Sequence, residues 1–259
     1  MEKLDILLVG CGKMGSVLAE RWQKLSLCGQ LVIVDPALPV KSAAGIPAGF
    51  KPQVVVFAVK PQTRSAMAGD YKTYAAAGAL VISIAAGKSV AFFEKHLGAA
   101  AKIIRSMPNT PAAIGQGITV AYANGNVGAA EKERAATLLG AIGDVLWAER
   151  EALLNPVTAL SGNGPAYVFL LIETLAKAGV HGGLSPDMAE KLARQTVIGS
   201  AALTAAIPDV PAAQLRANVT TPAGTTQAAL NVLMAEHGIQ ELFDKAFAAA
   251  TKRAEELSG

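Results

Sequence analysis

The sequence predicts an α/β domain followed by an all-helical domain. Three observations carry that expectation. Short, nearly continuous apolar runs recur through residues 1–148 at the spacing of buried parallel strands. A glycine-rich turn joins the first run directly to a helical pattern. From Glu149 onward the strand pattern stops, and only helical periodicity remains to residue 259. The expected boundary therefore lies at Ala148.

Leu4-Asp5-Ile6-Leu7-Leu8-Val9 is the first run. Gly10-Cys11-Gly12-Lys13-Met14-Gly15 follows it, and Ser16 to Leu25 has helical spacing with Val17, Leu18 and Trp22 on one face. This strand–glycine turn–helix order is the dinucleotide-binding fingerprint, so the first domain is expected to be of the Rossmann type. The first glycine permits the tight turn, the second lets a pyrophosphate approach the backbone, and the third lets helix pack on strand. A second run, Leu31-Val32-Ile33-Val34, ends in Asp35. A carboxylate about 20 residues past the glycines suits the adenosine ribose. It repels a 2′-phosphate, which favours NADH over NADPH, although Lys41 is near enough in sequence to blunt the preference. The other reading, Asp35 capping the loop before Pro36, stays open.

Val54 to Val59 is the third run, and Ala58-Val59-Lys60-Pro61 ends it. The Ala/Gly/Pro-rich residues 36–53 leave room only for a helical stub. In an open parallel sheet, ligands lie outside the carboxyl ends of the strands. Ala58, Val59, Lys60 and Pro61 are therefore candidates to line a cofactor cleft. A fourth strand, Ala79 to Ile84, ends in Ala85-Ala86-Gly87, and Ala86 is small enough to leave room for a nicotinamide ring. A fifth, Lys102 to Ser106, runs into Met107-Pro108-Asn109-Thr110-Pro111, a loop stiffened by two prolines in which Asn109 offers an amide. Gly117 to Ala121 and Asp144 to Trp147 read as further strands around a helix at Ala129 to Leu139.

In the second half, Leu160-Ser161-Gly162-Asn163-Gly164-Pro165-Ala166-Tyr167 interrupts a helix that starts near Glu151 and resumes at Val168. Each glycine weakens a helix by about 1 kcal/mol relative to alanine, which calls for a close approach by a backbone or a ligand. Further on, Asn218-Val219-Thr220-Thr221-Pro222-Ala223-Gly224-Thr225-Thr226 holds hydroxyls and backbone N–H groups where apolar surface would be needed for core. Converging N–H groups at a helix start make an anion site. A threonine-capped helix start is the plainer alternative.

Composition bounds the rest. Hydrophobic residues make up 52% and charged residues 17%, which fits a well-buried protein with a large subunit interface. The net charge is only +3 and the basic residues are scattered, so no nucleic-acid partner is expected. Mean hydropathy is +0.37, yet the best membrane candidate, Tyr167 to Val180, is broken by Glu173 and Lys177. No leader pattern precedes the first strand, and Cys11 and Cys28 do not suggest a disulfide, so a cytoplasmic protein is expected. His96, His181 and His237 lack metal-ligand spacing, and no metal is expected.

With these motifs in view, the chain resembles the pyrroline-5-carboxylate reductase family from end to end. The family's glycine fingerprint matches Gly10, Gly12 and Gly15. Its Ala-Val-Lys-Pro-Gln matches Ala58 to Gln62, and its Pro-Asn-Thr-Pro matches Pro108 to Pro111. Its Leu-Ser-Gly-Ser-Gly-Pro-Ala-Tyr matches Leu160 to Tyr167 with Asn163 in place of serine, and its substrate loop matches Val219 to Thr226 with Ala223 where glycine is common. The resemblance implies NADH- or NADPH-dependent reduction of L-1-pyrroline-5-carboxylate to L-proline by a homodimer joined through its helical domain. By the same token, Val219 to Thr226 bind the substrate, whose carboxylate meets the N–H groups of Ala223 to Thr225 and the hydroxyl of Thr220 or Thr221; Thr226 faces the ring nitrogen, Glu151 is a catalytic carboxylate that favours a cationic iminium, and Asn218 contacts the cofactor. An exposed first-turn acid is the alternative for Glu151. The alternatives for function are a two-domain 3-hydroxyacid dehydrogenase, for which no lysine or histidine base stands in the motifs, and a non-catalytic NAD-binding regulator, which would not need the threonine loop.

Overall fold

The computed structural model describes residues 3–59, 65–85 and 87–258. Strand β1 (Leu4–Val9) leads into helix α1 (Lys13–Lys24) and strand β2 (Cys28–Val34). β3 (Val54–Phe57), α2 (Lys72–Ala76), β4 (Leu80–Ser83), α3 (Val90–Leu97), β5 (Ile103–Met107), β6 (Gly117–Ala123), α4 (Ala129–Gly140) and β7 (Gly143–Trp147) follow. Their strands form one sheet of order β2-β1-β3-β4-β5-β6-β7. β1 to β5 run parallel, β6 is antiparallel to β5, and β7 is parallel to β6. The chain moves outward from β1 to β2, then crosses back to place β3 on β1's other side. That reversal opens a crevice at the carboxyl ends of β1 and β3.

Alternating side chains of each central strand feed two cores. Ile6 and Leu8 join Leu18, Trp22 and Leu138 on one face, while Leu7 and Val9 join Phe57, Phe93 and Leu97 on the other. Buried on both faces, these strands need apolar residues at nearly every position, which is why their runs stand out in the sequence. The Trp22 indole N–H donates to the Leu138 carbonyl at 2.8 Å, satisfying the one polar atom of a fully buried side chain. As expected, residues 36–53 hold only a helical stub, Ala43–Gly45.

A short α5 (Leu154–Val157) runs into a π-turn (Thr158–Gly162), then into α6 (Gly164–His181), α7 (Pro186–Ala206), α8 (Ala212–Asn218), α9 (Thr225–Leu233) and α10 (Ile239–Ser258). The glycine-broken motif is thus a single wide turn rather than a longer gap, and helix resumes at Gly164, ahead of the expected Val168. The Asn163 N–H donates to the Thr158 carbonyl at 2.9 Å, the i→i−5 bond of a π-turn.

The chain divides into two compact units, Gly164–Ala248 and the remainder. This differs from the expected boundary at Ala148. Residues 149–163 go with the α/β unit, where Leu154 and Ala159 are fully buried. The residues from Ala249 on also group with that unit. Among the described residues no helix is long and apolar enough to cross a membrane.

The helical unit has almost no interior of its own. Within residues 164–248 only Ala189 and Ala193 are buried. α6 and α7 pair closely, with the position of a Gly179 Cβ only 3.2 Å from the Ala189 Cβ. Yet Phe169 is 64% exposed, and Leu170, Leu192 and Leu242 are more than half exposed. Apolar exposure on this scale marks a surface covered by another chain. A residue as exposed as Phe169 normally tolerates substitution within about 0.5 kcal/mol. If a second copy covers it, Phe169→Ala should cost about 3 kcal/mol or more. Equilibrium unfolding at two protein concentrations checks this, and an unchanged midpoint would refute burial of that face.

Candidate active site

The glycine turn at the end of β1 is held by backbone packing. Gly10 has φ +95°, and a Cβ there would lie 2.8 Å from the Ala58 carbonyl. A Cβ on Gly15 would lie 2.4 Å from the Gly10 oxygen. These two glycines are required by the protein itself. Gly12 is different: it is exposed, and no atom lies within 4 Å of where its Cβ would stand. Gly12 is also the N-cap of α1, with no side chain capping the helix and no acid in the first turn. The N–H groups of Lys13, Met14 and Gly15 therefore open a helix N-terminus suited to a pyrophosphate.

Asp35, just past β2, reaches this turn. Its Oδ2 accepts the Cys11 N–H at 2.7 Å and its Oδ1 accepts the Ala37 N–H at 2.9 Å. The carboxylate therefore caps its own loop and ties that loop to the glycine turn. Burial and the Asp35 charge push the Cys11 thiol above its ordinary value, so it is not a thiolate near neutral pH. Ala58 and Val59 follow β3 and lie against Gly10. Lys60, Pro61 and Ala86 lie outside the described residues. After β4, Gly87 has φ +71°, and its Cβ position is 2.6 Å from the Leu257 carbonyl oxygen. After β5, the Asn109 Oδ1 accepts the Ile118 N–H at 2.9 Å, fixing the proline-rich loop.

Glu151 is not a free carboxylate. Its Oε1 accepts the Arg105 guanidinium at 2.9 Å and the Val90 N–H, at the first turn of α3, at 2.8 Å. Arg105 is 4% exposed in the middle of β5. Its positive charge pairs with the carboxylate that the resemblance assigns to a cationic iminium. Sequence reasoning passed over Arg105. The signal was there, since a lone arginine inside a buried strand requires a partner.

In the helical unit the threonine loop is a tight turn. The Gly224 N–H donates to the Thr221 carbonyl at 3.0 Å, and Ala223 has φ +58°. Pro222 followed by a positive φ is the pattern of a type II turn. Ala223 therefore does occupy the conformation that favours glycine, at a cost of roughly 1 kcal/mol. Gly224 is the N-cap of α9, and no side chain caps it. The first N–H groups of α9, which include those of Thr225 and Thr226, are thus available to an anion. The Thr220 hydroxyl donates to the Arg216 carbonyl at 2.7 Å. That leaves Thr221 as the hydroxyl donor among the two threonines that precede Pro222. Val219 is 66% exposed beside them. The Asn218 Oδ1 accepts the Gln214 amide at 2.7 Å. The candidate residues thus fall into two groups, one in each unit. Among the described residues no cluster could hold a metal ion.

The family model for pyrroline-5-carboxylate reductase dimerisation matches residues 151–257. The chain is 43% identical over 205 residues to a pyrroline-5-carboxylate reductase of Pseudomonas aeruginosa, covering 79% of this chain and 74% of that protein. It is 32% identical to one from Vibrio alginolyticus across 99% of this chain and 98% of that one. Among solved structures, a pyrroline-5-carboxylate reductase of Coxiella burnetii superposes with a TM-score of 0.89 at 34% identity over 100% of both chains. A Plasmodium falciparum pyrroline carboxylate reductase with NADP bound does so with 0.85 at 29%, again over 100% of both.

The three glycines separate packing from ligand binding. Gly15→Ala should cost about 3 kcal/mol or more, or prevent folding, because its Cβ meets backbone. Gly12→Ala should cost at most about 1 kcal/mol, the loss of a favourable N-cap, yet weaken NADH binding at least about tenfold. Thermal unfolding and a fluorescence titration with NADH check both. Equal destabilisation of the two variants would refute this division.

Proposed function

The chain belongs to the pyrroline-5-carboxylate reductase family, and from that premise we propose how its residues divide the work. The reaction is the reduction of L-1-pyrroline-5-carboxylate to L-proline, the last step of proline synthesis, with NADH or NADPH. The observation that carries it is the end-to-end likeness to reductases of that name at 32–34% identity. The dehydrogenase and regulator alternatives find no comparable support.

When bound, the nicotinamide supplies hydride to the ring C=N carbon. The chain must bind the dinucleotide, hold the substrate ring and see a proton to its nitrogen. For the dinucleotide we assign Gly10, Gly12, Lys13, Met14, Gly15, Asp35, Ala58, Val59, Lys60, Pro61, Ala86, Asn109 and Asn218. The uncapped start of α1 beside Gly12 supports the pyrophosphate part of that assignment. For the substrate we assign Val219 to Thr226. Its carboxylate suits the open N–H groups at the start of α9 and the Thr221 hydroxyl. Thr226 is half-buried at that helix start. Its hydroxyl is a weak acid, so it orients the ring and relays a proton from water or from substrate already protonated in solution. Holding the two rings about 3–3.5 Å apart supplies most of the acceleration.

Asp35 favours NADH, because a 2′-phosphate would meet a carboxylate. The helical unit, with its exposed apolar faces, joins two copies into a homodimer that is able to assemble further. The protein works in the cytoplasm.

Two measurements test these roles. Thr226→Ala should lower kcat by about tenfold or more, and unchanged steady-state kinetics would remove Thr226 from the mechanism. kcat/KM should be higher with NADH than with NADPH, and Asp35→Ser should narrow the gap. A wild-type preference for NADPH would refute the assignment of Asp35.

A further inference from the structure

The turn between β4 and α3 sits at the carboxyl edge of the sheet, one strand beyond the β1/β3 crevice. Its described residues are held on both sides of Ala86. At its entry the Ala85 N–H donates to the Ser83 Oγ, and the Ser106 hydroxyl donates to the Ser83 carbonyl, both at 3.2 Å. At its middle Gly87, at φ +71°, lies directly under the Leu257 carbonyl. At its exit the Ser89 hydroxyl accepts the Phe92 N–H, and the Val90 N–H is held by Glu151. Glu151 is in turn held by Arg105, which is buried on β5.

Arg105 cannot move far. It lies on the lateral row Phe57, Ser83, Arg105 and Tyr122 that crosses β3 to β6. Glu151 stands in the first turn after β7, so one carboxylate oxygen joins three segments remote in sequence: β5, the α3 N-terminus and the start of the helical chain. Negative charge at the first turn of α3 also suits that helix's dipole.

We propose that Arg105 and Glu151 are positioning residues for the cofactor. They fix the height of residues 87–89 against the nicotinamide end of the dinucleotide. Glu151 acts through the Val90 N–H and not through its charge on the reacting ring. This inference rests on the reductase reading above.

Two substitutions separate geometry from charge. Glu151→Gln removes the charge but keeps an oxygen at the same reach for Arg105 and Val90. Glu151→Asp keeps the charge but is one methylene too short to serve both partners. The readouts are the NADH dissociation constant by fluorescence without substrate, the pyrroline-5-carboxylate KM, and kcat against pH. Expected is NADH binding weakened about tenfold in Glu151→Asp, from a displaced turn. Glu151→Gln should stay within about threefold of wild type, and the kcat–pH profile should be unchanged in both. If Glu151→Gln prevents folding because buried Arg105 has lost its counter-charge, Arg105→Met with Glu151→Gln removes the lone charge but also the group that holds residue 151, so NADH binding weakened about tenfold is expected, with an unchanged kcat–pH profile. The proposal is overturned if Glu151→Asp binds NADH like wild type. It is also overturned if Glu151→Gln shows the larger loss, in kcat and with a shifted pH profile, or if the double variant binds NADH like wild type. Wild-type protein that binds NADH but does not reduce pyrroline-5-carboxylate would refute the functional reading alone, because the NADH affinities still compare the variants.

Discussion

The α/β unit depends on backbone meeting backbone at one corner. Gly10 lies on the Ala58 carbonyl, and Gly15 lies on Gly10. No side chain larger than hydrogen fits between them. That contact brings the carboxyl ends of β1 and β3 together at the point where strand order reverses. It also aims the start of α1 outward beside Gly12. Asp35 then locks the arrangement through the Cys11 N–H. The two-sided core does not choose this geometry by itself. It supplies the apolar burial that makes so tight a turn affordable, at roughly 25 cal/mol per Å² of surface removed from water.

The helical unit has the opposite problem. Its helices are well formed but nearly coreless, with two alanines as the buried residues of 164–248. Helix propensity alone does not hold five helices in register, because most helical stability in proteins comes from packing an apolar face. The threonine loop belongs to this unit, and its turn carries a strained alanine at Ala223. Strain of that kind persists only where the surroundings determine the conformation. Residues 151–257 match the dimerisation model, so the leucines and phenylalanines this unit leaves exposed are the faces on which a second copy completes its packing.

The strands were legible because burial on both faces forces apolar runs, and β1 falls at Leu4–Val9 as its pattern predicts. The start of α9 was legible from the threonine-rich stretch around Pro222 and Gly224. What escaped was non-local. Arg105 and Glu151 are far apart in the chain, and periodicity does not link two charges on different elements. The Thr220 hydroxyl looked like a ligand donor, but it closes one turn back on Arg216, a bond that threonine often makes in helices. Residues 149–163 carry helical spacing and so looked like part of the helical domain. Their partners are strands, and periodicity names an element without naming what it packs against.

Asp35 shows why such sites resist simple readings. Capping its loop and meeting a ribose looked like competing roles. The structure gives the cap, through Ala37, and the tie to Cys11, each on a different oxygen. An ionised carboxylate offers about four lone-pair positions, so two remain for hydroxyls after both N–H groups are served. The same negative charge that strengthens those two bonds opposes a 2′-phosphate. Stability of the glycine turn and the discrimination between dinucleotides proposed above therefore fall to one group. Removing the charge at Asp35 also removes the charge-assisted bond that ties its loop to the glycine turn.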